Sequence, residues 1–133
     1  MTEIQIQLRL RDGTTIPATI QRNAHDATCW LHIIADGIDE TATSTDYFKS
    51  FSCIIRKLAQ RDIIPLCYAS SRNIWPSGMM IDWSQGLKAY KLQIGTSVGE
   101  LVDIFSTGPD IDPVMPEVQR AFVEEWCASM TVK

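Results

Sequence analysis

Ile4-Gln5-Ile6-Gln7-Leu8-Arg9-Leu10, then Arg11-Asp12-Gly13-Thr14, then Thr15-Ile16-Pro17-Ala18-Thr19-Ile20, is the stretch that decides the fold. Apolar side chains fall on every second position before and after an Asp-Gly pair. That is the period of a half-buried strand, a tight turn and a second half-buried strand. Pro17 has no amide to donate, so the second strand lies at an edge or turns its N–H side to solvent there. Beyond the polar turn 21–26, residues 28–35 put Trp30, His32 and Ile34 on one face and Cys29, Leu31 and Ile33 on the other, which reads as a central strand.

Residues 38–45 are polar and acidic and read as a connection. Phe48, Phe51, Ile55 and Leu58 then recur at helical spacing, with Ser44 or Thr45 as the cap and Arg56, Lys57 and Arg61 near the C-terminal end of the helix dipole, giving a helix over about 45–60. A short buried strand is expected at 63–69, a Pro- and Gly-containing loop at 70–78, and a single helical turn or irregular chain at 79–85. Residues 87–94 and 100–105 pair as a hairpin. A last helix over about 114–130 starts near Asp112, carries Pro113 and Pro116 in its first turn, and aligns Val118, Ala121, Phe122, Trp126 and Met130. The order β-β-β-α-β-β-β-α predicts an α+β fold, a mixed and mostly antiparallel sheet of about five or six strands with two helices on one face.

The chain has 133 residues, which suits one domain over 1–133. At 45% hydrophobic and 21% charged residues it excludes disorder, collagen and coiled coil. Sixteen acids against twelve Lys and Arg give a net charge of −4, and no basic cluster offsets it, so nucleic acid is not expected as a partner. No apolar run reaches the roughly 18–20 residues that span a bilayer, and the start lacks a basic region followed by an apolar one, which predicts a cytoplasmic protein without a membrane partner. Cys29, Cys53, Cys67 and Cys127 are far apart, without the spacing of a zinc knuckle or a redox pair. They read as reduced thiols that pack as small hydrophobes. No metal and no cofactor is expected.

The common catalytic signatures, from the phosphate-binding loop to the nucleophile elbow and the zinc helix, do not occur. His25 sits in a polar turn, and His32 shares a strand face with Trp30 and Ile34, so both suit structural roles. Acidic residues are concentrated. Asp36, Asp39, Glu40 and Asp46 follow one another without an intervening cation, and seven acids, Asp110 and Asp112 among them, crowd the last third. They form either a solvated face or a negative patch that steers a basic partner. The segment Ser71-Arg72-Asn73-Ile74-Trp75-Pro76-Ser77-Gly78-Met79-Met80-Ile81-Asp82-Trp83 packs two Trp and two Met into an expected surface connection. Such residues mark interface centres. Alternatively Trp75 and Trp83 cover the sheet edge, and one can point inward while the other points outward.

The run Trp75-Pro76-Ser77-Gly78-Met79, then Gly86-Leu87-Lys88-Ala89-Tyr90-Lys91-Leu92, then Leu101-Val102-Asp103-Ile104-Phe105 and Glu117-Val118-Gln119-Arg120-Ala121-Phe122 resembles small immunity proteins. These are encoded beside Rhs-type polymorphic antibacterial toxins, in effector and immunity pairs associated with type VI secretion. The likeness covers about residues 70–130, with Trp83 filling the spacer between the first two motifs. It implies a cytoplasmic inhibitor without catalysis, in a tight complex with a cognate toxin domain that could be an ADP-ribosyltransferase, a nuclease or a deaminase. The expected interface centres on Asn73, Trp75, Ser77, Met79 and Trp83, with Asp36, Asp39, Glu40, Asp110 and Asp112 as an acidic rim. Self-association is not indicated. The alternative is a small enzyme or ligand-binding domain with a pocket between the 70–83 loop and the sheet, using His32, Asp82 or Asp103. A chaperone-like subunit that grips its client through the same loop is a further one.

Overall fold

The Asp12-Gly13 turn forms as its residues require. Asp12 Oδ1 accepts from the amide and the hydroxyl of Thr14 at 3.0 and 2.7 Å, and Gly13 takes φ +89°, a left-handed value that costs glycine little. It joins β1 (Thr2–Arg9) to β2 (Thr15–His25), and the meander continues through β3 (Thr28–Ala35) and β4 (Ile38–Ser44). The structure, a computed structural model, describes residues 2–131. The first sheet is antiparallel throughout in the order β4-β3-β2-β1-β5, where β5 is Ile64–Pro65.

The register sets which side chains are inside. Ile6, Leu8, Ala18, Ile20, Leu31 and Ile33 all point to one face and are buried beneath α1 (Tyr47–Ala59) and the C-terminal half of the chain. At about 25 cal/mol per Å² this apolar burial is the main stabilising term of the sheet. The opposite face carries Gln5, Thr19, Gln21, Trp30 and His32, with hydrogen bonds between Gln5 and Thr19 and between Gln21 and Glu3. β3 is interior, as its alternation predicts. Its Trp30, His32 and Ile34 side is nevertheless half-buried to exposed.

Pro17 shows how an interior strand tolerates proline. The Leu10 amide bonds the Thr14 carbonyl at 2.8 Å, so even-numbered residues of β1 face β2 and the Gln7–Pro17 pair faces away from that ladder. On its other flank β3 begins pairing only at Thr19, so no ladder bond is lost at Pro17.

Several expectations are corrected. Residues 38–44 are not a connection but strand β4, with Ile38 and Ala42 turned in and Asp39, Thr41 and Thr43 turned out. The cap of α1 is Asp46, rather than Ser44 or Thr45, accepting from the Lys49 amide at 2.9 Å. The expected strand at 63–69 shortens to β5, because the following chain makes a 3-10 turn at Tyr68–Ser70 whose Ser70 hydroxyl bonds the carbonyls of Pro65 and Cys67. Residues 78–84 form a full helix, α2 (Gly78–Ser84), capped by Ser77.

The expected hairpin is present as β7 (Lys88–Lys91) and β8 (Leu101–Asp103). With β6 (Ile74–Trp75) it makes a second antiparallel sheet beside the five-stranded one, in an α+β fold as expected. The last helix, α3 (Pro116–Thr131), starts later than expected. Pro113 lies outside it, bridged to Ser71. Its innermost residue is Gln119, fully buried, while Val118 and Met130 are more than a third exposed, so the expected apolar face is only partly covered.

The two sheets share one core. Phe51 of α1 meets Phe105, just after β8, edge to face with ring centroids 5.2 Å apart. α3 lies against α1 and β6, where Arg56 and Glu117 pair at 2.8 Å.

Candidate interaction surface

The segment 71–83 is built from its own polar groups. Ser71, fully buried, accepts from the Asp112 amide at 2.9 Å and donates to Asn73 Oδ1 at 3.2 Å, while Asn73 Nδ2 reaches the Leu92 carbonyl at 3.4 Å. These bonds align β6 beside β7 and turn Trp75 inward. Trp75 is half-buried, edge-on to Phe48 at 5.4 Å, with the Arg120 guanidinium 5.7 Å from its ring centroid. Ser77 Oγ accepts from the Met80 amide at 3.1 Å and so starts α2. Asn73, Trp75 and Ser77 therefore form the support of the segment.

Its outer surface is Met79 and Trp83, one helical turn apart on α2. Met79 is 58% exposed and Trp83 is 77% exposed, while Met80 on the other side is buried. The helix is fixed at its far end too. Gln85 adopts the left-handed conformation, its carbonyl accepts from the Tyr47 amide at 2.7 Å, and Gly86 takes φ +81° against the start of α1. A Cβ at Gly86 would sit 2.8 Å from Asp46 Oδ1 and 3.0 Å from the Phe48 nitrogen, so only glycine allows this approach.

The five expected rim acids separate into two groups. Asp110 accepts from Tyr68 Oη at 2.7 Å and pairs with Lys91 at 2.9 Å, and these contacts hold its carboxyl below, and the Lys91 ammonium above, their usual ranges. Asp112 pairs with Arg72 at 2.9 Å. Both latch the 106–115 loop to the second sheet, which leaves less of their charge for a partner. Asp36 and Glu40 have no ion-pair partner among the described residues, and Asp39 meets His32 Nε2 at 2.6 Å.

These acids also lie far from Trp83. Lys57, near the end of α1, bonds the Thr41 carbonyl, whereas α2 joins at Tyr47, the start of α1. Tyr47 and Lys57 are about 15 Å apart along the helix axis. Met79 and Trp83 thus stand near the start of α1, while Asp36 and Asp39 lie by the first residues of β4, with Glu40 on the other face of that strand.

The residues suggested for a ligand pocket do not converge. His32 is on the outer face of the first sheet, Asp82 is exposed on α2, and Asp103 pairs with Lys88 at 2.6 Å. A hollow of about 190 Å³ does lie beneath the segment, lined by Lys49, Cys53, Arg56 and Arg120 of the helices, by Trp75 and Ile81 of the segment and by Ser44 at the end of β4, and it contains none of these three residues. Cys67 is enclosed and its thiol is pushed up to about 12 by burial, which leaves it un-ionised at neutral pH. Among the described residues no three His, Cys, Asp or Glu side chains gather as metal ligands, and no helix is long and apolar enough to cross a membrane. The sequence matches no protein-family model and no curated protein.

Proposed function

We propose that this chain is an immunity protein, an inhibitor that binds a cognate antibacterial toxin domain in the cytoplasm of the cell that makes both, and neutralises it by occluding its active site. The observation that carries this reading is the display of Trp83 and Met79 on α2. A tryptophan 77% exposed is costly to leave in water, and here it stands on a helix whose two ends are fastened by Ser77 and by the Gln85–Gly86 junction. A rigid aromatic anchor loses little entropy on binding and slows dissociation. Asp36 and Glu40, without an ion-pair partner among the described residues, add steering of a basic enzyme surface, which raises the association rate. The resemblance over residues 70–130 points the same way. In this chain Gly86 of its Gly86-Leu87-Lys88-Ala89-Tyr90 motif packs against the start of α1, and Lys88, Ala89 and Tyr90 pair with β8.

The test is neutralisation. The toxin region of the adjacent gene is expressed in a neutral bacterial host with and without this chain, and the two proteins are co-purified. Rescue of growth with a stoichiometric complex is expected. Rescue without a complex would mean that the chain reverses the damage enzymatically, and no rescue would remove the reading. Trp83→Ala should weaken the complex by at least about 2 kcal/mol while changing the stability of the free protein by less than about 0.5 kcal/mol. Titration calorimetry together with urea unfolding separates the two effects. An unchanged affinity would take Trp83 out of the interface.

A further inference from the structure

The two edges of the first sheet are finished differently. β5 is two residues long and contains Pro65, so it offers almost no ladder to a newcomer. β4 is seven residues long, Ile38-Asp39-Glu40-Thr41-Ala42-Thr43-Ser44, and contains no proline and no lysine.

Its free peptide groups follow from the ladder. The Leu66 amide bonds the Gln7 carbonyl, which fixes odd-numbered residues of β1 to face β5, and alternation across the four antiparallel pairs then makes Asp39, Thr41 and Thr43 face outward from β4. The Lys57 bond to the Thr41 carbonyl agrees with that assignment. What remains open is the N–H and C=O of Asp39, the N–H of Thr41, and the N–H and C=O of Thr43. This edge also carries Asp36, Asp39 and Glu40 against one cation, the Lys57 ammonium seated on the Thr41 carbonyl.

We propose that β4 receives a basic extended segment of the partner as a sixth strand, with a Lys or Arg of that segment beside Asp39. This rests on the proposed function and names a second contact, on an element other than α2. Strand addition suits the site because the main chain supplies the hydrogen bonds while the acids select the charge of the incoming strand. A second copy of this chain fits less well, since its own β4 has no cation to set opposite Asp39.

Hydrogen exchange on the full chain, free and in complex with the toxin domain, tests the proposal. The amides of Asp39, Thr41 and Thr43 should exchange at least tenfold more slowly in the complex, while their inward neighbours Glu40 and Ala42 are protected in both states. Thr43→Pro removes an outward amide and no bond to β3, so the free protein should remain folded by circular dichroism and its Kd for the toxin should rise at least tenfold. If a complex forms and the three amides exchange as in the free protein, the strand-addition proposal falls while the inhibitor reading stands. If no complex forms, both fall. Protection of the same amides at high concentration without toxin would assign the edge to a second copy and overturn the proposal.

Discussion

In residues 2–59 nearly every fully buried side chain is apolar and belongs to a strand or helix whose period places it inside, and the chain is held by continuous ladders. Residues 60–131 hold themselves differently. Their strands are two to four residues long, and single side chains fasten segments far apart in sequence: Tyr68 to Asp110, Arg72 to Asp112, Trp126 Nε1 to the Thr96 carbonyl, and Gln119 Nε2 to the carbonyls of Ala69 and Ser71 at 2.9 and 2.7 Å. Both regions bury apolar side chains in the shared core, but the second adds side-chain bonds between distant segments, of which those of Gln119 are buried. The exposed anchor Trp83 belongs to the second region, and the open edge β4 to the first.

Core truncation should give the largest effect. Leu31→Ala removes a fully buried side chain from the centre of the first sheet and should cost about 4 kcal/mol, read as a lower urea midpoint. A cost below about 1 kcal/mol would mean that the ladders, not the apolar face, hold that region. Gln119→Ala should cost about 2 kcal/mol, because two buried carbonyls lose their donor. Native-state hydrogen exchange sharpens the comparison, since opening confined to residues 68–72 and α3 would show that the second region yields alone. Opening of the whole chain would dissolve the distinction.

A smaller effect is expected from Asp110→Asn, and it depends on pH. The Asp110 carboxyl is held below its ordinary value near 4 by Lys91 and Tyr68, so its contribution is present above that value and is lost as pH falls through the depressed one. The wild type should therefore lose stability below about pH 4 more steeply than the variant. The slope should not vanish, because Glu117 is held low by Arg56 in the same way. Equal acid limbs for the two proteins would show that this latch contributes nothing to folding.

The same contrast explains what could be read from sequence. β1, β2, β3 and α1 announce themselves because one face of each is apolar at the right period. β4 does not, since of the four positions that turn inward only Ile38 and Ala42 are apolar, with Glu40 between them. In α3 the apolar stripe suggested an inner face through Val118 and Met130. The residue buried deepest is Gln119, whose carboxamide is drawn in by carbonyls fifty and forty-eight positions earlier. No local pattern carries such a partner. The tryptophans of the 71–83 segment could be placed on a surface connection, but not told apart. Ser77, three residues before Met80, was the available sign that a helix begins there and that Trp83 lies one turn beyond Met79.

The edge-to-face contact of Phe51 with Phe105 has a consequence in time. A ribosome adding about 5–20 residues per second needs about 3–11 s to travel from one ring to the other. During that interval β1 to β4 and α1 have been made, and their pairings are between neighbours in sequence, so the meander can assemble while its second covering is still being translated. Phe51 then waits in water, on a nascent chain whose β4 edge is also open. A trigger-type chaperone or a slow codon before residue 105 would act on this one species, and neither would matter to the finished protein.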